Sequence, residues 1–282
     1  MNNEAIQKGR AQAILLLFAT AFFWSLAGIL IKGVQLPALS VAGWRSAIAL
    51  IIILLFAGRK AIRFSKAQIL GSLCYAATVI SFVAANKMTT ATNAIMLQYT
   101  APLYIILLSG PLLKERIRWF DVTAVIGTLA GTCLFFMGKL TPGGLSGNFR
   151  AIFSGITFAL MILMLRMQKE ASPAGSVILG NILTALICLP WMLKSPPDAA
   201  ALPWILGLGI FQLGMSYVCY TVAIKRVTAI EGTIIPMIEP ILNPIWVLLF
   251  LGEKPTLFAL IGGVIILLSI LSRTWFDWRR QA

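Results

Sequence analysis

Histidine is absent from this chain, and carboxylates are scarce: nine Asp and Glu stand against 23 Lys and Arg. The first absence removes most transition-metal sites and any imidazole proton relay. The four cysteines, Cys74, Cys133, Cys188 and Cys219, all lie inside apolar stretches with no C-x-x-C spacing. They read as small packing residues rather than disulfides or metal ligands. No G-x-x-x-x-G-K-[ST] occurs, so the chain does not itself bind ATP in a P-loop. A catalytic constellation is lacking too, because Glu231 and Glu239 have no evident nucleophile or metal cluster beside them. No enzymatic activity, metal or cofactor is expected.

What is present is apolar. The chain is 59% hydrophobic and 11% charged, far outside the composition of a soluble domain. Runs long enough to cross about 30 Å of hydrocarbon recur near 13–31, 38–57, 69–86, 93–112, 120–137, 151–167, 176–193, 205–222, 230–251 and 257–272. Ten transmembrane helices with short connections are the expectation, an all-α integral membrane protein with the lipid bilayer as its surroundings. Lys8 and Arg10 precede the first run as in a signal peptide, but the run is long and no small-residue cleavage site precedes Lys32, so it reads as a retained anchor.

The net charge of +14 has a geometric explanation. With the N-terminus in the cytoplasm, sixteen cations, from Lys8 and Arg10 through Arg279 and Arg280, fall on cytoplasmic segments. Only Lys32, Lys87, Lys139, Arg150, Lys194 and Lys254 fall opposite, and Arg45 remains inside a span. This is the positive-inside pattern. Both termini are therefore expected in the cytoplasm, and the basic surplus sets topology rather than binding nucleic acid.

Residues 85–115 and 223–253 are two versions of one segment at a constant offset of 138. Ala85, Lys87, Thr90, Ala91, Pro102, Leu113 and Glu115 reappear as Ala223, Lys225, Thr228, Ala229, Pro240, Leu251 and Glu253. Upstream, Cys74, Thr78, Ser81 and Ala85 meet Gln212, Ser216, Cys219 and Ala223, and Arg45 falls opposite Asn181. The chain thus divides into a first five-helix repeat over 1–140, a connector over 141–148 containing Thr141-Pro142-Gly143-Gly144, and a second repeat over 149–282. Five is odd, so the second repeat is inverted relative to the first, the sequence mark of a transporter.

The Trp24 region of span 1, Arg45 in span 2, and the segments closing Leu112-Leu113-Lys114-Glu115 and Phe250-Leu251-Gly252-Glu253 carry a resemblance. The chain resembles the drug/metabolite transporter superfamily in its ten-span form with two EamA-type repeats, departing from the pattern at Lys114, where glycine is usual. Within that superfamily it is most similar to the YddG-type aromatic amino acid exporters. The resemblance implies export across a bacterial inner membrane.

Candidate functional residues follow from what is costly in a bilayer. Pro236, Pro240 and Pro244 repeat every fourth residue in span 9 and remove amides that would bond the carbonyls of Gly232, Pro236 and Pro240. With Pro102 at the matching place in span 4, they are candidate gates, or simply bends in packed helices. Glu239, near the middle of span 9, either holds a substrate ammonium group or carries a coupling proton, unless it is a neutral acid bonded to a freed carbonyl or to another helix. Glu231 lies closer to the cytoplasmic surface, within expected reach of Lys225 or Arg226. Arg45 either receives a substrate carboxylate through its forked donors or snorkels outwards to cap loop carbonyls.

Six tryptophans sit at span ends as an interfacial belt, whereas all five tyrosines fall within spans, Tyr220 near enough to an end to join the belt. The expected cavity lies between the repeats, walled by spans 1, 3, 4, 6, 8 and 9. Its substrate-binding candidates are Trp24, Tyr75, Thr78, Gln98, Tyr99, Tyr217, Glu239, Asn243 and Trp246. Gly127 and Gly131 form G-x-x-x-G on span 5 and Gly262-Gly263 opens span 10, suggesting peripheral packing or a homodimer contact. The expected activity is secondary transport of amino acids, aromatic ones especially. Export of apolar or cationic drugs is the alternative, and nucleotide-sugar or phosphometabolite exchange a weaker one, since phosphate requires more buried cations than Arg45.

Overall fold

Long apolar stretches in lipid must satisfy their backbone groups internally, which leaves helices as the accessible answer for such a sequence. The computed structural model of the chain describes residues 3–89, 91–137, 144–242 and 256–281, and all regular structure among them is helical. The helices are α1 (Asn3–Ser25), α2 (Ala27–Lys32), α3 (Ala38–Ala57), α4 (Lys66–Met88), α5 (Ala91–Gln98), α6 (Ala101–Leu113) and α7 (Trp119–Phe135). After these come α8 (Leu145–Met167), α9 (Pro173–Lys194), α10 (Leu202–Ala223), α11 (Ala229–Ile234) with a 3-10 turn Ile235–Ile238, and α12 (Leu257–Gln281).

Local chemistry sets several of these ends. Gly58 stops α3 at φ 69°, a backbone conformation that side chains with a Cβ disfavour. Ser65 caps α4 by accepting from the Gln68 amide at 3.2 Å, and Pro173 opens α9 within its first turn. Lys114 ends α6 in the left-handed conformation, at φ 55°. The position where glycine is usual in the family motif is thus one where the backbone favours glycine, and Lys114 occupies it with a Cβ.

Among the described residues, seven helices are long and apolar enough to cross a membrane by length and composition, with the 17-residue α7 as a shorter apolar helix. The count of ten is not established. Expected span 1 falls on α1 and α2, which carry Glu4, Lys8 and Arg10 at the start and break near Leu26. At about 1.5 Å per residue, α7 reaches only about 26 Å. Expected span 9 is described only as far as residue 242. Outward-facing side chains are apolar, including Leu55 at 79%, Leu193 at 73% and Leu107 at 70% exposure. A surface this apolar belongs in hydrocarbon rather than water.

The packing reproduces the relation between the halves. α4 packs on α8 while α10 packs on α1, so the third long helix of each half lies on the first of the other. Corresponding helices also pair, α3 with α9 and α7 with α12. α4 therefore packs chiefly on α8 and α9, and α10 on α1 and α3, rather than on each other. The glycines of α7 are used within the chain. A Cβ on Gly262 would lie 2.5 Å from the Gly131 carbonyl oxygen, and one on Gly127 would lie 2.2 Å from Ser269 Oγ. That face of α7 is occupied by α12.

Candidate functional site

Where the crossed helices meet, they leave a cavity of about 720 Å3 of atom-free space, part of it open to solvent. Its lining includes Trp24, Arg45, Thr78, Phe82, Gln98, Tyr99, Pro102, Phe158, Gln212, Tyr217, Thr233, Pro236 and Glu239. Among the described residues, none of α7 or α12 lines it.

One wall is built where two helices break. Between α5 and α6 the chain turns at Tyr99–Thr100, with Pro102 in the first turn of α6. On the other side, the 3-10 turn contains Pro236 and ends at Glu239. Two of the three carbonyls expected to be left free by the prolines find partners: Gly232 accepts the Tyr220 hydroxyl at 3.1 Å, and Pro236 accepts the Glu239 amide through the tighter turn. Tyr220 is fully buried and not a belt residue, because that freed carbonyl gives its hydroxyl a partner inside the protein. The two breaks face each other, and the Tyr99 hydroxyl donates to Glu239 Oε2 at 3.0 Å. A partly buried carboxylate with a phenol as its partner thus borders the cavity.

A second wall is aromatic. The Trp24 ring lies 5.8 Å from Phe158 and 5.7 Å from Tyr217, both edge-on. Tyr75 is placed behind this wall, its ring 4.9 Å from Tyr217 and its hydroxyl donating to Asn181 Oδ1 at 3.1 Å. It does not reach the cavity lining. A third, polar edge joins α4, α5 and α8: Gln98 Nε2 donates to Ser154 Oγ at 2.7 Å, and the Thr78 and Thr157 hydroxyls are 2.9 Å apart. Arg45 is 2% exposed and donates from Nη1 to Gln212 Oε1 at 3.3 Å. That sheltered position does not match snorkelling to the surface.

The structure therefore brings Trp24, Thr78, Gln98, Tyr99, Tyr217, Glu239, Pro102, Pro236 and Arg45 to one cavity. Pro240 is buried beside it without lining it, and Asn243, Pro244 and Trp246 lie outside the described residues. Sequence reasoning aligned Gln212 with Cys74 in the repeat without recognising it as the partner of Arg45, because that register carried no hint of charge.

An ion cluster at one end of the bundle was also not foreseen. Glu231, expected near Lys225 or Arg226, is 1% exposed and pairs with Arg10 and Arg273. Arg273 also pairs with Asp121 at 2.9 Å, and Asp277 joins Arg10 and Arg118, the latter at 2.7 Å. The capping box of α11 turns Glu231 inwards, its Oε2 accepting the Thr228 amide at 2.8 Å. Nearby, Glu115 accepts from Arg166 Nε at 2.8 Å and from the Ala229 amide at 3.0 Å, tying the end of α6 to the start of α11. Nine acids in a chain this apolar were the available signal.

Comparison with known proteins gives two matches to one family description, the EamA-like transporter family, over residues 11–137 and 145–273. A transporter of Archaeoglobus fulgidus, named only as uncharacterized, is 31% identical over 69% of this chain and 71% of its own length. The pseudopaline exporter CntI of Pseudomonas aeruginosa is 25% identical over 93% of this chain and 96% of its own. A solved crystal structure aligns with a TM-score of 0.82 at 19% identity, covering 95% of this chain and 98% of that one, a likeness of fold.

Proposed function

The chain belongs to the EamA-like transporter family, and from that premise we propose that it is a secondary transporter exporting amino acids, aromatic ones especially, across a bacterial inner membrane. The observation that carries the substrate class is the juxtaposition in one cavity of an aromatic wall, Trp24–Phe158–Tyr217, with the Glu239–Tyr99 acid. An ammonium group finds a carboxylate there, and a planar side chain finds ring faces and edges. The similarity to a named exporter over nearly the whole chain supports the direction of transport. In this reading the halves rock about the cavity, and the breaks at Pro102 and Pro236 act as gates. Export of cationic drugs is the second reading, favoured by the same acid and rings.

Two tests belong here. Reporter tags fused at residue 64 and at the C-terminus are expected to report cytoplasm, and a tag at residue 144 the far side. Residues 64 and 144 on the same side would end the inverted arrangement. In proteoliposomes, Tyr217→Ala and Tyr99→Ala should lower phenylalanine or tryptophan flux by roughly tenfold or less, the scale of one lost aromatic pair, and threonine or alanine flux by less. Equal losses for all substrates in Tyr217→Ala would mean a packing defect.

A further inference from the structure

Arg45 stands out as a buried cation without a countercharge. Among the described residues no carboxylate pairs with it, its Nε has no acceptor, and its one hydrogen bond is to the neutral Gln212. Both side chains line the cavity. An isolated buried charge is expensive, so the fold must gain something that a neutral group would not supply.

The other half shows what a neutral version looks like. The residue corresponding to Arg45 is Asn181, and beside the counterpart of Gln212, Cys74, stands Tyr75. There the Tyr75 hydroxyl donates to Asn181 Oδ1 at 3.1 Å, and Asn181 Nδ2 donates to the Val177 carbonyl at 2.9 Å. That pair closes on itself, behind the aromatic wall. Helix-to-helix bonding at this place therefore needs no charge, and structural need alone does not account for Arg45.

The backbone around Gln212 is itself unusual. Residues Leu208–Met215 of α10 form a π-helical segment, a rare geometry that is frequent at functional sites. It packs on α3, where a Cβ on Gly209 would lie 3.1 Å from the Arg45 carbonyl oxygen. The widened turn and the glycine bring Gln212 against the guanidinium while leaving its remaining donors unclaimed.

We infer that Arg45, positioned by Gln212, is a carboxylate subsite of the cavity, so that the ligand recognised must carry a carboxylate as well as an ammonium group. The inference rests on the amino acid reading and sharpens it: Glu239 takes one end of a zwitterion, Arg45 the other, and the rings its side chain. A guanidinium presents paired donors to a carboxylate, whereas a cation-only ligand would meet unrelieved repulsion.

The test uses the full-length protein purified in lipid nanodiscs and three probes: L-phenylalanine, 2-phenylethylamine, which lacks the carboxylate, and 3-phenylpropanoate, which lacks the ammonium. Phenylalanine is expected to bind on the order of tenfold or more tighter than phenylethylamine. Arg45→Gln should erase that difference by weakening phenylalanine, while phenylethylamine, relieved of the repulsion, binds no more weakly than to the native protein, which also reports a folded cavity. Arg45→Lys, which keeps the charge without the fork, should restore part of it. If Arg45→Gln does not fold, Arg45→Lys and Gln212→Leu carry the same comparison. Equal wild-type affinity for phenylalanine and phenylethylamine overturns the subsite, as does amino acid binding insensitive to all three substitutions; the latter result leaves the transport reading standing. Arg45-dependent binding of 3-phenylpropanoate without any amino acid binding keeps the subsite and removes the amino acid reading. Absence of any carboxylate-dependent binding removes the subsite.

Discussion

Replacing Glu239 by Gln is expected to abolish transport while the protein remains at normal abundance in the membrane. The amide has nearly the same shape and still accepts the Tyr99 hydroxyl, which lies 3.0 Å from Oε2 in the native site. It cannot hold an ammonium group by charge, and it cannot carry a proton across the cycle. Among the described lining residues Glu239 is the only carboxylate, so no neighbour substitutes for it. Loss of one partner of a desolvated ion pair costs about 3–5 kcal/mol, a factor of a hundred or more in substrate affinity or flux. Counterflow in proteoliposomes measures this directly, and flux within threefold of the native protein would remove Glu239 from the site. A variant that still binds substrate but has lost the pH dependence of flux would assign it the proton instead.

Glu231→Gln should fail in a different way. Its carboxylate is enclosed between Arg10 and Arg273 and bonded to the Thr228 amide, so the substitution leaves two cations crowded together with less to balance them. A loss of about 3–5 kcal/mol is expected from breaking such a buried arrangement, seen as low membrane abundance and a lowered midpoint of thermal unfolding in detergent. Adding Arg10→Gln should recover part of it by restoring the balance of charge in the cluster, where Asp277 keeps Arg118 as its partner. Flux per folded molecule should fall far less than in Glu239→Gln. Normal stability for Glu231→Gln combined with lost transport would reverse the two assignments.

Much of the site was legible in the sequence because a bilayer makes certain residues conspicuous. A carboxylate at Glu239, an arginine at Arg45 and prolines at Pro102 and Pro236 have to be accounted for wherever they fall, and all four line one cavity. The pairing of halves was legible from an ungapped offset. Partners were harder to read. That Tyr99 meets Glu239, or Gln212 meets Arg45, depends on the crossing of α5–α6 with the 3-10 turn and of α3 with α10, which no local pattern encodes. Tyr75 shows the converse difficulty: its spacing was compatible with the cavity, but its ring lies one layer back, against Tyr217 and Asn181. Arg10 and Asp277 are 267 residues apart, and only the closed bundle shows that they meet.

If the two halves were interchangeable, exchanging their conformations would convert one access state into the other at no change in free energy, and the resting molecule would divide its time equally between them. The cluster of Arg10, Arg118, Asp121, Glu231, Arg273 and Asp277 lies at one end of the bundle, where α1, α7 and α11 begin and α12 finishes. No matching cluster joins these helices at the other end among the described residues. An imbalance of about 1.4 kcal/mol is already a tenfold bias in population, and ligand can reverse it only through a matching difference in affinity for the two states. In the proposed topology, with both termini in the cytoplasm, the latched end is the cytoplasmic one. For an exporter so oriented, the idle carrier is expected to face away from its substrate pool, with turnover set by how often that latch opens rather than by how tightly the cavity binds.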